Sequence, residues 1–133
     1  MISVASMATA RRSSVCNAAV LGLVLAACCT EVLVAGATQW TVGDSRGWTF
    51  NVAGWENGKA FAAGDVLVFN YDKSAHNVVQ VDQAGYGACS AGAGARSFSS
   101  GNDRITLSSG KAFFICSFPG HCASGMKIAV TVK

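Results

Sequence analysis

Residues 116–126 carry three kinds of metal-binding side chain at a fixed interval, and this segment constrains the fold of the chain more than any other. It reads CSFPGHCASGM, so a thiol (Cys116), an imidazole (His121) and a thioether (Met126) follow one another at five-residue steps. Cys116 ends one strand-like pattern and Met126 begins the next. The loop between them therefore returns the chain over one end of a β-structure, where the three side chains can converge.

The ligand types in this loop favour copper. Soft sulfur ligands combined with imidazole select copper, and two histidines, one cysteine and a weak axial methionine form the blue-copper electron-transfer site. The sequence contains only two histidines, so the second imidazole would have to come from His76. Zinc suits the same residues, but a thioether ligand favours copper. The sequence predicts one type 1 copper ion bound by His76, Cys116, His121 and Met126.

Each of these residues also has an ordinary explanation when it is considered alone. A single histidine is usually solvated or part of a core, a methionine usually fills a gap, and a free cysteine usually behaves as a small buried hydrophobe. The joint pattern changes this interpretation, because both histidines, an unpaired thiol and the only methionine beyond Met7 fit one coordination set.

The cysteine count is consistent with one thiol that has a separate role. The chain has six cysteines, of which three lie in its N-terminal segment. The remainder has Cys89, Cys116 and Cys122, and an odd number in a secreted protein indicates one disulfide and one other thiol. The residues alone leave three pairings open. A Cys116–Cys122 pair would remove the thiolate from the predicted site.

The N-terminal segment, residues 1–37, has the pattern of a secretory signal peptide. Arg11 and Arg12 precede the apolar run 15–29, and Ala35-Gly36-Ala37 forms a small-residue cleavage site. The alternatives are a start at Met7, an uncleaved signal anchor, or a bacterial lipoprotein signal. Glu31 interrupts the apolar run before it reaches the roughly 20 residues that a membrane span needs. We therefore expect cleavage near residue 37, a single domain over residues 38–133, and a secreted, extracellular protein.

The charge and the C-terminal sequence exclude several classes of partner. The formal net charge of the chain is +3, and no cluster of lysine and arginine is present, which argues against nucleic-acid binding. The last strand pattern is followed by no hydrophobic tail, so a glycolipid anchor is not expected. We expect a monomer without a membrane anchor, whose partner is a small-molecule or protein redox agent.

The remaining pattern is that of an all-β protein. Short apolar or alternating runs, separated by glycine-rich turns, predict a Greek-key β-sandwich or small barrel of about seven strands. Residues 52–57 and the glycine-rich segment 84–100 are each expected to contain at most a short helical turn, and the latter is otherwise interpreted as a long loop. The individual strands are predicted at 39–43, 66–71, 77–82, 105–107, 111–116 and 127–133.

Four segments of the sequence resemble those of a known family. FICSFPGHCASGMKIAV, VGDSRGWTFN, FAAGDVLVFNY and HNVVQVD are similar to the phytocyanins, the plant blue-copper proteins with a cupredoxin fold, and within them to the plantacyanin or basic blue group. The resemblance covers essentially all of residues 38–133. It implies a cupredoxin-like sandwich, secretion to the apoplast or cell wall, a disulfide between Cys89 and Cys122, and copper ligands His76, Cys116, His121 and Met126.

These observations together predict a blue-copper protein that carries single electrons by cycling between Cu(I) and Cu(II). An enzyme is not expected, because no carboxylate accompanies the cysteine and histidines and all four coordination positions are filled. The alternative is an extracellular signalling or adhesion protein in which the copper site is structural or dispensable. Asn77, beside His76, is predicted to link the two ligand segments. A small docking patch is predicted at Ala75, Pro119, Gly120 and Ala123.

Overall fold

The computed structural model describes residues 36–133, and its residues from Ala37 to Lys133 form one compact unit. The predicted signal peptide, residues 1–37, lies almost entirely outside the described residues. Within residues 36–133, none of the helices has the length and apolar character needed to cross a membrane.

The described residues form seven strands with little helix, as the sequence predicts. A 3-10 turn lies at Asp44–Arg46 and one short α-helix, α1, at Gln83–Ala88. The strands are β1 (Gln39–Thr41), β2 (Val66–Asn70), β3 (Val78–Val81), β4 (Arg96–Phe98), β5 (Asn102–Thr106), β6 (Gly110–Ile115) and β7 (Lys127–Val132).

The strands form two sheets. One sheet has the order β1-β2-β5, in which β1 is parallel to β2 and β5 is antiparallel to it. The other has the order β4-β3-β6-β7 and is antiparallel throughout. This arrangement confirms the predicted all-β sandwich class.

The register of the second sheet determines which loops meet at its end. Val79 pairs with Ile115 in the β3–β6 ladder, and Ile115 pairs with Lys127 in the β6–β7 ladder. When these antiparallel registers are extended past the strand ends, residue 77 lies opposite residue 117, and residue 116 opposite residue 126. The strands thus bring segments 76–77, 116–117 and 126 to one end of the sandwich.

Alternating side chains of the strands fill the space between the sheets. In β7, Ile128, Val130 and Val132 are buried, as their two-residue period predicts. The main core also contains Trp48, Phe69 and Phe114 and extends to Cys116 and Met126 at the end where the loops meet. A smaller second cluster consists of Val79, Ile115 and Cys122, on the outer side of the β4-β3-β6-β7 sheet.

The segment 84–100 contains more regular structure than the sequence predicts. The helix begins after Asp82, whose side chain accepts a hydrogen bond from Gly85 N at 2.8 Å, and it ends at Cys89 in the left-handed conformation. The sequence predicts a loop where strand β4 lies. Arg96–Phe98 is too short to show a period, and it forms a strand only through its pairing with β3. The prediction of a long loop here was therefore wrong in part.

Other segments also differ from the sequence prediction, and the strand predicted at 105–107 begins three residues earlier, as β5 at Asn102. Strand β1 ends at Thr41 rather than residue 43, because Gly43 adopts a φ of 80° and turns the chain. Residues 52–57 form successive turns and no helix. Trp55 N donates to Val52 O and Asn57 N to Gly54 O, but Gly54 has a φ of 95°, which interrupts any helical path.

Candidate metal centre

Three of the four predicted ligands converge at the end of the sandwich. The potential ligand atoms of His76, Cys116 and His121 all lie within 4.8 Å of one another. The two histidine Nδ1 atoms are 3.1 Å apart, and Cys116 Sγ lies 3.5 Å from His121 Nδ1. His76, which is distant in the sequence, therefore reaches the loop 116–126.

The turn before β3 positions His76. The Asp72 carboxylate accepts hydrogen bonds from Ser74 N at 2.9 Å and Ser74 Oγ at 2.7 Å, and the Asp72 carbonyl accepts from the backbone N–H groups of Ala75 and His76. Such Asp-centred turns are stabilised by short-range hydrogen bonds of this kind. The imidazole that follows is 9% exposed.

The hairpin between β6 and β7 positions the other ligands. Cys116 N donates to Met126 O, and Met126 N donates to His121 O, both at 3.1 Å. These bonds close the loop on itself and bring all three residues to its base. Cys116 and Met126 are both fully buried in the main core, while His121 is partly exposed. The thiol and the thioether are thus shielded from water, and the imidazole is accessible.

The loop is held on its other side by a disulfide between Cys89 and Cys122. This pairing, which the family resemblance implies, is confirmed. Cys122 lies in the second cluster with Val79 and Ile115, on the side away from the ligands. Among the described residues Cys116 is the free cysteine, and it is buried.

Asn77 joins the two ligand segments, as the sequence predicts. Its Nδ2 donates to Ser117 Oγ and its Oδ1 accepts from Ser117 N, each at 2.9 Å. The Asn77 carbonyl also accepts a 2.8 Å hydrogen bond from Trp48 Nε1. Trp48 is buried in the core, so the segment that carries His76 is attached to both the Cys116 segment and the core.

The surroundings of His76 favour an uncharged imidazole. Burial lowers the pKa of His76 most, the nearby His121 ring lowers it further, and Asp72 partly opposes both effects. A neutral imidazole is the form that binds a metal ion. Two imidazole nitrogens, a shielded thiol and a buried thioether in the same core cluster are the donor set of a type 1 copper ion, so the residues fit this metal.

Phe50 is a site residue that the sequence analysis missed. It is the one large hydrophobic side chain that is exposed in the part of the chain that the structure describes, at 38%. Its ring contacts the His76 ring at 5.4 Å and the His121 ring at 4.7 Å between centroids, edge to face in both cases. The only sequence signal is a bulky aromatic residue in a turn segment without strand or helix periodicity.

The predicted docking patch consists of residues next to the two histidines in the sequence. Pro119, Gly120 and Ala123 are exposed, and Ala75 is half-buried. Phe118 is also half-buried, with its ring 5.6 Å from that of His121. The residues that lie beside His121 in this segment are therefore uncharged.

Comparisons with known proteins agree with this architecture. A family model described as a plastocyanin-like domain matches residues 39–126. A protein named chemocyanin from Lilium longiflorum is 56% identical over 115 residues, which are 86% of this chain and 91% of that protein.

Two solved structures are also similar. Cucumber basic protein, a blue copper protein, is 54% identical, has a TM-score of 0.71 and covers 72% of this chain and 100% of its own. Spinach plantacyanin is 62% identical, has a TM-score of 0.62 and covers 65% of this chain and 94% of its own. With the sandwich, the ligand cluster and the disulfide, these similarities place the chain in the plastocyanin-like family, among the phytocyanin blue copper proteins.

Proposed function

We propose that this chain is a secreted electron carrier that binds one copper ion through His76, Cys116, His121 and Met126. The observation that supports it most strongly is the convergence of the first three residues within 4.8 Å. In such a site copper supplies one-electron redox chemistry by alternating between Cu(I) and Cu(II).

The protein's own residues serve this function by keeping the ligands in place. The hairpin bonds, the Asn77–Ser117 pair and the Cys89–Cys122 disulfide connect all the ligand segments to the sandwich. Because the same four side chains suit both oxidation states, little atomic movement is needed during transfer. A rigid site of this kind is suited to carrying electrons and offers no open position for a substrate.

The partly exposed imidazole of His121 is the route by which we expect electrons to enter and leave. It is the most accessible of the ligands, and Pro119, Gly120 and Ala123 around it are exposed and uncharged. Redox partners form small, short-lived interfaces, so a few exposed, uncharged residues suffice for docking. We propose that a small molecule or another protein docks here.

Secretion is supported by the disulfide and by the N-terminal pattern of the sequence. Disulfides form and persist in oxidising compartments. We propose that residues 1–37 direct the chain to the extracellular space and are then removed, which the N-terminal sequence of the secreted protein would test.

Addition of Cu(II) to the metal-free protein, produced through a secretory pathway, tests the proposal. We expect an intense visible absorption from thiolate-to-copper charge transfer, lost in Cys116→Ser and retained in Cys122→Ser combined with Cys89→Ser. A colourless protein would refute the copper site. Met126→Gln should keep the colour and lower the reduction potential, and an unchanged potential would argue against an axial role for Met126.

Reduction and reoxidation of the coloured protein distinguish an electron carrier from a protein whose copper is structural. We expect ascorbate to bleach the colour and a mild oxidant to restore it fully over repeated cycles. Loss of copper or of structure on reduction would contradict electron transfer and would favour the structural alternative.

A further inference from the structure

The segment 48–53 approaches the ligand cluster although it contains none of the predicted ligands. Trp48 is fixed to the His76 segment through its bond to the Asn77 carbonyl. On the other side, Asn51 N donates to Ser124 O at 3.1 Å and Val52 N donates to Gly125 O at 3.0 Å. Phe50 therefore lies between two anchors, one on each ligand-bearing segment.

The backbone at this junction is close-packed. Gly125 has a φ of 84°, and a Cβ atom there would lie 3.0 Å from Asn51 Cα. Asn51 itself has a φ of 60°, which asparagine tolerates better than most residues. This close approach fixes the backbone directly after Phe50, as the Trp48 bond does before it. The backbone therefore positions the Phe50 ring without burial of that ring in the core.

The ring of Phe50 contacts both imidazoles from the solvent side. The interplanar angles are 81° with His76 and 69° with His121, so each contact is edge to face. Aromatic pairs prefer this geometry at these separations. The side chain is 38% exposed and is absent from the main core cluster, and the aromatic rings that it contacts are those of the two histidines.

We propose that Phe50 is a positioning residue of the metal centre. It holds the two imidazoles in the orientation that brings their Nδ1 atoms to 3.1 Å, and it covers the solvent-facing opening to Cys116 Sγ. It thereby limits the rate at which thiol reagents, chelators and copper reach the buried ligands. Only the prediction about copper access rests on the proposed copper site. The prediction about thiol reagents rests on the burial of Cys116 alone.

The first test uses the metal-free full chain and therefore does not depend on copper. The rate of Cys116 alkylation by iodoacetamide is measured by mass spectrometry of the peptide that contains it. We expect Phe50→Ala to increase this rate by about two- to tenfold, the range that corresponds to the loss of one aromatic contact of ordinary strength. Phe50→Leu keeps an apolar cover and should stay near the wild-type rate. Equal rates in all three proteins would overturn the proposal.

The second test uses the copper-loaded protein. We expect a competing chelator to remove copper faster from Phe50→Ala than from the wild type, by a factor similar to that for alkylation, with Phe50→Leu again near the wild-type rate. Phe118→Ala is the matched control, since Phe118 contacts only His121 of the two histidines. A larger effect of Phe118→Ala than of Phe50→Ala would contradict the assignment.

The two tests separate this inference from the proposed function. Faster alkylation in a protein that never becomes coloured would support the role of Phe50 and refute the copper site. A coloured wild type whose alkylation and chelation rates do not change in Phe50→Ala would support the copper site and refute the role of Phe50. Far-ultraviolet circular dichroism confirms that each variant is folded, which we expect because Phe50 lies outside the core.

Discussion

Asn77 and Ser117 form two reciprocal hydrogen bonds across the segments that carry His76 and Cys116, each 2.9 Å long. They lie at the point where the β3–β6 register, extended by two pairs of residues, brings the two segments together. The bonds therefore continue the sheet through side-chain contacts beyond its last backbone pair.

We expect Asn77→Ala to destabilise the metal-free protein by about 1–3 kcal/mol, because two hydrogen bonds are lost at about 0.5–1.5 kcal/mol each. Ser117→Ala should cost about half as much, because the Ser117 N–H can still donate to Asn77 Oδ1. Urea unfolding of both variants measures the difference. Equal costs would show that the bond from Ser117 N to Asn77 Oδ1 contributes nothing, and a Ser117→Ala variant as stable as the wild type would show the same for the bond to the hydroxyl.

The disulfide between Cys89 and Cys122 should contribute stability without supporting the colour of the copper site. It joins residues 33 positions apart, and the chain-entropy estimate for such a loop is about 3–4 kcal/mol. We expect the double variant Cys89→Ser, Cys122→Ser to unfold at lower urea concentration yet to show the visible band while folded. A folded but colourless variant would mean that the bridge also positions the ligands.

Asp65 should make the fold sensitive to acid. Its buried carboxylate accepts hydrogen bonds from Trp40 Nε1, Thr38 N and Ala62 N, each at 3.0 Å. These bonds, that from Trp40 most of all, lower the pKa of Asp65, and burial opposes them. A pKa that is lower in the folded state gives stability that is present at neutral pH and is lost as the pH falls.

We therefore expect the free energy of unfolding of the wild type to decrease as the pH falls below about 4, the ordinary range of the aspartate pKa. Asp65→Asn should be less stable at pH 7 and should show a shallower decrease in acid. Urea unfolding across this pH range measures both effects, with Asp44→Asn, at an exposed aspartate, as the control. Parallel curves for Asp65→Asn and the wild type would contradict the role of this carboxylate.

Tyr71 should ionise only at strongly alkaline pH. Its hydroxyl donates a 2.5 Å hydrogen bond to Asp103 Oδ2. Burial first, and then this bond, raise the pKa of Tyr71 from 10.0 to about 12. Because the folded-state pKa is the higher one, the corresponding stability is present below pH 10 and is lost as the pH rises toward 12.

We expect Asp103→Asn to move the pKa of Tyr71 back toward its ordinary value, because the negative partner is removed. Ultraviolet titration of tyrosinate measures this shift, and the Tyr86→Phe background leaves Tyr71 as the only tyrosine. An unchanged titration would show that burial alone accounts for the raised pKa.

The docking patch should control the rate of electron exchange through its charge. We expect Pro119→Glu to slow reduction by anionic ascorbate by about two- to tenfold through like-charge repulsion, with no change in the visible spectrum. Pro119→Gln is the uncharged control. Ser109→Glu is the control for position, because it adds the same charge just before β6, at the end of that strand opposite to Cys116. A spectral change in Pro119→Glu would instead indicate that Pro119 supports the ligands.

Much of the fold could be predicted from the sequence, because the strands that matter most carry local patterns. The alternation in β7 and the apolar run of β2 are properties of consecutive residues, and burial follows both patterns: it alternates in β7 and is continuous over 67–69 in β2. The sequence does not predict strand β4, and it predicts no more than one helical turn where helix α1 lies, because short glycine- and alanine-rich segments have no such period. Pairing with β3 and the Asp82 cap, which are specific contacts, define them.

The sequence by itself determined the chemistry of the site: two imidazoles, one thiol left over from a disulfide, and a thioether, of which three groups follow one another at fixed intervals in one loop. Residue types and spacing are local properties, so they could be read without a structure. Only the tertiary structure decided that His76 reaches Cys116 and His121, and that Phe50 contacts both histidine rings. These contacts depend on the register of β3 against β6 and on the close approach of Asn51 to Gly125, and no local sequence pattern encodes either one.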